Sequence, residues 1–277
     1  MKKIRLKISL IIPFLLLFTY SAKSQQFKSN NELGIIAGGS YYLGDLNNNH
    51  FDDASASLGL IYRKNIDRRL SYKAGLMYLN LKSDERDSED TIALDRGLHF
   101  RSKIFELSGQ IEFNFLPYQP GNPLYTWTPF VYTGLAIFNF NPQAENKNGE
   151  WVNLQELGTE GQGTTTSFDG ETRDKYSLIQ FSIPMGGGVK FSINQSTSLI
   201  LEYGIRKTFT DYLDDVSTTY PGPNLYDMTN EAWEMSDPNG THLKGDQRGD
   251  ATKKDWYSFI GLTLSFKLDT PNDCPPY

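Results

Sequence analysis

The chain is poorest in cysteine and histidine. One cysteine in 277 residues, Cys274, excludes a disulfide-stapled scaffold, a Cys-based zinc site and an iron–sulfur cluster. Three histidines, His50, His99 and His242, leave little material for a His-based metal centre. Long apolar runs are also missing. Outside the N-terminus nothing approaches the roughly 20 apolar residues of a membrane-spanning helix, so a helical membrane bundle is excluded. Positive charge is in deficit: 27 Lys and Arg against 33 Asp and Glu give −6, which argues against nucleic acid as a partner. The chain does hold 17 Phe, 16 Tyr and 4 Trp, ample for an ordered fold.

The first 24 residues read as an export signal. Lys2, Lys3, Arg5 and Lys7 form a basic start, Ile8–Tyr20 an apolar stretch, and Ala22-Lys23-Ser24 a small-x-small cleavage site. No cysteine stands at the cleavage site, so a lipid anchor there is not expected. Loss of these residues leaves 22 basic and 33 acidic side chains, a charge of −11.

Beyond the signal the hydrophobic period is two. Eight segments have strand composition: Leu33–Leu43, Ala54–Lys64, Arg69–Leu81, Leu98–Phe115, Trp127–Phe140, Tyr176–Ile193, Ser198–Phe209 and Asp255–Leu268. In the fourth, Phe105, Leu107, Ile111, Phe113 and Phe115 alternate with Glu106, Ser108, Gln110, Glu112 and Asn114. The sixth, seventh and eighth alternate in the same way, and each therefore has one apolar and one polar face. Pro184 with Gly186-Gly187-Gly188 predicts a bulge or bend in the sixth.

Alternation does not say which face is inside. Strands of ten or more residues suit a bilayer crossing better than a soluble sandwich. Aromatics gather near segment ends (Tyr41, Tyr62, Tyr72, Tyr78, Trp127, Phe138, Phe140, Phe191, Trp256 and Phe266) as interfacial girdles would. Connections alternate short (Asn65–Arg68, Leu116–Thr126, Asn194–Thr197) with long (Asn141–Lys175, Thr210–Lys254). The expected fold is all-β: an eight-stranded antiparallel transmembrane β-barrel over residues 25–268, with long extracellular loops and both termini in the periplasm. Eight strands leave a lumen that side chains fill. Glu106, Glu112, Lys190, Glu202 and Arg206 are expected to pair inside it as a structural charge network.

The loops carry the remaining candidates. Asp211, Asp214 and Asp215 have the oxygen donors Ca²⁺ prefers, but not an EF-hand spacing, and read more simply as an acidic capping turn. Gly158, Gly161 and Gly163 match no phosphate-binding pattern. His99 has Asp95 upstream, His50 and His242 lie in loops, and no nucleophile elbow or HExxH is present. No metal, cofactor or catalytic residue is assigned. Cys274 lies in a Pro-rich tail, 269–277, where an unpaired cysteine of an exported protein marks either an intermolecular bond or a free thiol.

Several blocks resemble a known family. Gly44-Asp45-Leu46-Asn47, Phe140-Asn141-Pro142, LGTEGQG at Leu157–Gly163, IPMGGGVK at Ile183–Lys190 and TDYLDDVSTTYP at Thr210–Pro221 look like the PorG-like outer-membrane barrels of Bacteroidota. The resemblance implies a non-enzymatic accessory of the type 9 secretion system, the machine that also serves gliding motility. Its partners would be outer-membrane lipid and a periplasmic ring complex of a PorK/GldK-like lipoprotein and a PorN/GldN-like protein. Cys274 would then face that ring. The alternatives are a barrel enzyme acting on lipid or peptide, and a narrow porin.

Overall fold

The computed structural model describes residues 29–86, 88–164, 173–222 and 228–268. The signal segment and the tail bearing Cys274 lie outside the described residues. Eight long strands form the barrel wall: β1 (Asn30–Leu43), β2 (Ser55–Asn65), β3 (Leu70–Asp84), β4 (His99–Asn114), β5 (Trp127–Asn139), β8 (Ile179–Ser192), β9 (Thr197–Thr208) and β10 (Trp256–Leu268). They start and end within three residues of the eight segments read from the alternation. Two short strands, β6 (Pro142–Glu145) and β7 (Trp151–Asn153), form a hairpin that extends the wall from the end of β4.

Each long strand pairs antiparallel with its neighbours along the chain, and β1 pairs with β10 from Asn31↔Leu268 to Leu43↔Trp256. That seam closes the sheet and leaves the wall without an edge. The pairing of neighbours suits the short connections at one end, since adjacent antiparallel strands need only a few residues between them.

The apolar face points outward. Leu58, Leu60, Leu76, Phe105, Leu107, Phe181 and Leu262 are exposed on the outer wall, Leu107 to 57 % and Leu135 to 71 %. The alternating partners Glu106, Ser108, Gln110 and Glu112 are buried in the lumen. A soluble barrel would have the opposite sense, so this surface is that of a barrel crossing a bilayer.

Two expectations are corrected. Phe138 and Phe140 do not belong to an outer girdle. They share the inner parity of Tyr132 and Ala136, are 1 % and 0 % exposed, and pack with Tyr257 and Tyr176 inside the barrel. Tyr41 faces outward but is covered by its own loop, through His50 and Phe51. Nor is there a bulge in β8. Its pairing with β5 lapses opposite Gly134 and Leu135, where Pro184 has no N–H to give, and resumes at Ala136↔Ser182 in the same register. The nearby glycines make room instead. A Cβ on Gly204 would lie 1.8 Å from the Tyr132 hydroxyl, and one on Gly186 2.9 Å from Tyr132 Cζ.

The lumen has two levels. Near the short turns it is polar and charged. Toward the long loops it becomes an apolar core of Ile36, Met77, Leu79, Leu81, Phe100, Ile104 and Phe259, joined by Leu213 and Val216 from the last loop. At the short-turn mouth the β4–β5 connection folds across the opening. Tyr118 is buried there, its hydroxyl donating to Ser198 Oγ (2.8 Å), and the Gly121 N–H donates to Ser192 Oγ (2.9 Å).

A closed wall with all ladder bonds paired resists SDS until boiled, so unboiled and boiled samples are expected to migrate differently; equal mobility would contradict closure. Leu107→Arg places a charge in the middle of the outer belt and is expected to cost about 2–4 kcal/mol in urea unfolding from lipid vesicles.

Candidate functional site

Charge on the inner face has to be matched where it stands. Glu112 on β4 is the hub. It accepts from Arg63 Nε (2.7 Å) and Nη2 (3.1 Å) and from Lys190 Nζ (2.6 Å), with Lys73 Nζ at 3.5 Å. Lys73 also donates to Glu202 (3.0 and 3.2 Å), and Arg63 reaches Glu32 (3.5 Å). Glu32 further accepts from Asn65 and Ser265, each at 2.6 Å. Three cations thus meet three carboxylates, all buried. Higher up, Arg206 Nε donates to Glu106 (3.2 Å), which also accepts from the Tyr257 hydroxyl (2.7 Å). Neutral totals at each level are what burial demands.

The structure places Glu106, Glu112, Lys190, Glu202 and Arg206 in the lumen, in two groups rather than one network. Arg63, Lys73 and Glu32 complete them and were missed. Their signal was parity. Leu58, Leu60 and Tyr62 share the outer face of β2, which turns Arg63 inward with Ser57 and Ile61. Glu32 lies just before the first segment as read.

Above the barrel, the two resemblance blocks meet. The helix Leu154–Leu157 ends at Gly158, whose φ of 69° lets its N–H return to Leu154 O (3.1 Å). Gly161 and Gly163 also take positive φ, at 81° and 77°. This tight glycine path drives Thr159 and Glu160 into the Thr210–Pro221 segment, where both are buried. Glu160 accepts from the backbone N–H of Ser217 (2.9 Å) and Thr218 (3.0 Å), the Thr218 hydroxyl (2.5 Å) and Arg248 Nη1 (3.1 Å). Arg248 also donates to Asp215 O (2.6 Å). Asp215 accepts from Tyr176 (2.6 Å) and Thr159, and Asp211 from Ser217 (2.6 Å). Gly158, Gly161, Asp211, Asp214 and Asp215 therefore converge in one buried polar cap, with Gly163 exposed at its edge, its N–H donating to Arg173 O (2.7 Å). Among the described residues no group of three or more acidic, His or Cys side chains is placed to hold a metal ion.

Asp214 faces Asp255 across Tyr42. The Tyr42 hydroxyl lies 2.5 Å from Asp214 Oδ2 and 2.9 Å from Asp255 Oδ1. The other oxygens already accept from the Val216 and Leu213 N–H groups, each at 2.9 Å. A phenol has one proton and cannot donate to both carboxylates, so one carboxyl carries a proton and donates to the phenol oxygen. Burial holds both carboxyls well above the usual range, and for Asp255 the charge of Asp214 adds to it. Burial likewise pushes Asp211 and Asp215 up to about 6, against the Ser217 hydroxyl and the Arg248 charge respectively.

The histidines are occupied. His99 Nε2 accepts the Glu145 N–H (2.9 Å), and His50 Nδ1 meets the Tyr41 hydroxyl (3.0 Å). Asp95 sits not with His99 but with His242, which stacks on Tyr220 and meets Asp237 Oδ1 at 2.9 Å. Trp151 is stacked by the Arg101 guanidinium at 3.6 Å, which ties the β6–β7 hairpin to β4.

Raised folded-state carboxyl values stabilise the cap fully at pH below the unfolded value near 4. That stabilisation is lost as pH rises through the folded values. Protection of the β9–β10 loop against proteolysis is therefore expected to fall as pH rises from about 4 through about 6 and above, the reverse of acid unfolding. Asp255→Asn keeps the shape without the charge. It is expected to slow cleavage at pH 8 by about tenfold per pKa unit relieved. Faster cleavage of that variant would contradict the shared proton.

Solved chains of similar shape include Ail, the attachment invasion locus protein of Yersinia pestis (8 % identity, TM-score 0.41, covering 87 % of this chain and 99 % of that one). Neisserial surface protein A (7 %, 0.41, 87 % and 99 %) and the outer membrane protein OprG of Pseudomonas aeruginosa (10 %, 0.37, 87 % and 95 %) are others. No curated protein matches in sequence. Residues 7–157 and 164–275 match a family described as a domain of unknown function, DUF6089, and the chain belongs to that family.

Proposed function

We propose that this chain is a non-catalytic outer-membrane barrel that tethers or positions the periplasmic ring complex of a type 9 secretion system. The observation that carries this reading is the filled lumen. Paired charges, an apolar core, the cap and the Tyr118 turn occupy it from mouth to mouth. A barrel built in this way acts through its surfaces rather than through a conduit. In this reading the long loops are extracellular and both termini periplasmic. The ring proteins, a PorK/GldK-like lipoprotein and a PorN/GldN-like protein, meet the short turns and the tail with Cys274. The resemblance of the LGTEGQG and DYLDDVS blocks supports the same assignment, since these blocks build the cap.

Affinity purification from detergent-solubilised native membranes tests it. The expected result is co-purified ring proteins, together with a heavier thiol-sensitive species on non-reducing gels that Cys274→Ser abolishes. A clean monomer with hydrolase activity would contradict the tether and favour the barrel enzyme. A tag inserted after the exposed Gly240 is expected to be reachable on intact cells, and one at Asn194 not; the reverse labelling would invert the orientation.

A further inference from the structure

We propose that a groove on the outer wall, above β1, β10 and β9, binds the phosphorylated headgroup of an outer-leaflet glycolipid. Leu43, Trp256 and Lys207 form one outward row across these three strands at the long-loop end. The rows beneath run Tyr41–Ser258–Ile205, Gly39–Ile260–Tyr203 and Ala37–Leu262–Leu201 toward the lipid-facing belt; the loop bearing His50 and Phe51 covers Tyr41, and Phe51, itself exposed, packs on Tyr203. The groove opens beside the top row with a volume of about 470 Å³, within the range of small-molecule sites. Its apolar lining is Leu43, Ile205 and Trp256, so a bound molecule there continues onto the surface that acyl chains cover.

The polar side sets two lysines at the mouth of the groove, in a chain whose total charge is negative. Lys253 and Lys254 stand on the rim, and Lys207 Nζ lies 5.7 Å from the centre of the Trp256 ring. Lys254 donates to Ala251 O (3.0 Å) and Lys253 pairs with Asp250 (3.1 Å). An ammonium has three N–H donors, so each lysine keeps capacity for a phosphate oxygen. Two acidic residues, Asp45 and Asp255, also line the inner wall of the groove. Asp255 commits both carboxylate oxygens to Tyr42 and Leu213, and Asp45 Oδ2 accepts the Asp250 N–H (3.0 Å). Lysines directly above an apolar floor at a membrane boundary match an amphiphile with phosphate at one end and acyl chains at the other.

Native mass spectrometry of the detergent-purified protein tests this with three probes: lipid A bearing its phosphate, the same lipid A dephosphorylated, and inorganic phosphate. The expected result is retention of the phosphorylated lipid, with the dephosphorylated form held several-fold less. Lys207→Gln and Lys254→Gln are each expected to weaken retention by about fivefold. Lys64→Gln, outward-facing at the opposite rim, is expected to leave it unchanged. Altered gel mobility on boiling shows that each variant has folded as a barrel. Equal retention of the two lipid forms, or equal loss with Lys64→Gln, overturns the proposal. Displacement of the lipid by equimolar inorganic phosphate also overturns it, since the site would then be one for free phosphate.

Discussion

Glu112 cannot be buried alone. An ionised carboxylate in the interior of an eight-stranded barrel has no bulk water to turn to, and removing its partners leaves a cost of about 3–5 kcal/mol. Arg63, Lys73 and Lys190 come from three different strands, β2, β3 and β8, to meet it. The same contacts constrain register. A slip of one residue in any of these strands would carry its cation to the lipid face and an apolar side chain into the lumen. Closure, register and charge balance are thus one condition rather than three.

The constraint extends upward. Because charge is confined to the lower lumen and the Arg206–Glu106 pair, the upper lumen packs as a protein core. That core is open at the top unless the loops supply its last layer, which Leu213 and Val216 do. Holding those residues down is the task of the buried polar cap. Glu160 and Arg248 tie the two longest loops together, and Tyr42 pins the carboxyl pair to the barrel rim. The loop blocks that stand out in the sequence have a structural role that any ligand-centred reading of Gly158, Gly161, Gly163 or the aspartates would miss.

Strand positions and the inward set Glu106, Glu112, Lys190, Glu202 and Arg206 were legible because period-two patterning places side chains by parity alone. Phe138 and Phe140 were misplaced because an aromatic at a segment end fits either an interfacial girdle or an upper lumen core, and only parity along β5 separates them. The β6–β7 hairpin and the helix Leu154–Leu157 escaped because three or four residues carry too little periodicity. The cap is visible in sequence as motifs but not as contacts. Thr159 and Asp215 are 56 residues apart, and nothing local says that a positive-φ glycine path will bring them together. Pro184 misled in the other direction, since a missing N–H was absorbed by a short lapse in pairing rather than by an inserted residue.

The filled lumen seals this barrel along its length, and the proposed platform role rests on that seal. Conductance of the purified protein in planar bilayers tests it most directly. The account predicts no stepwise ion current at neutral pH under moderate voltage, with insertion verified independently by protease protection of the strands. Reproducible single-channel steps from correctly folded protein would show an open path past Glu112 and the cap, and would contradict it.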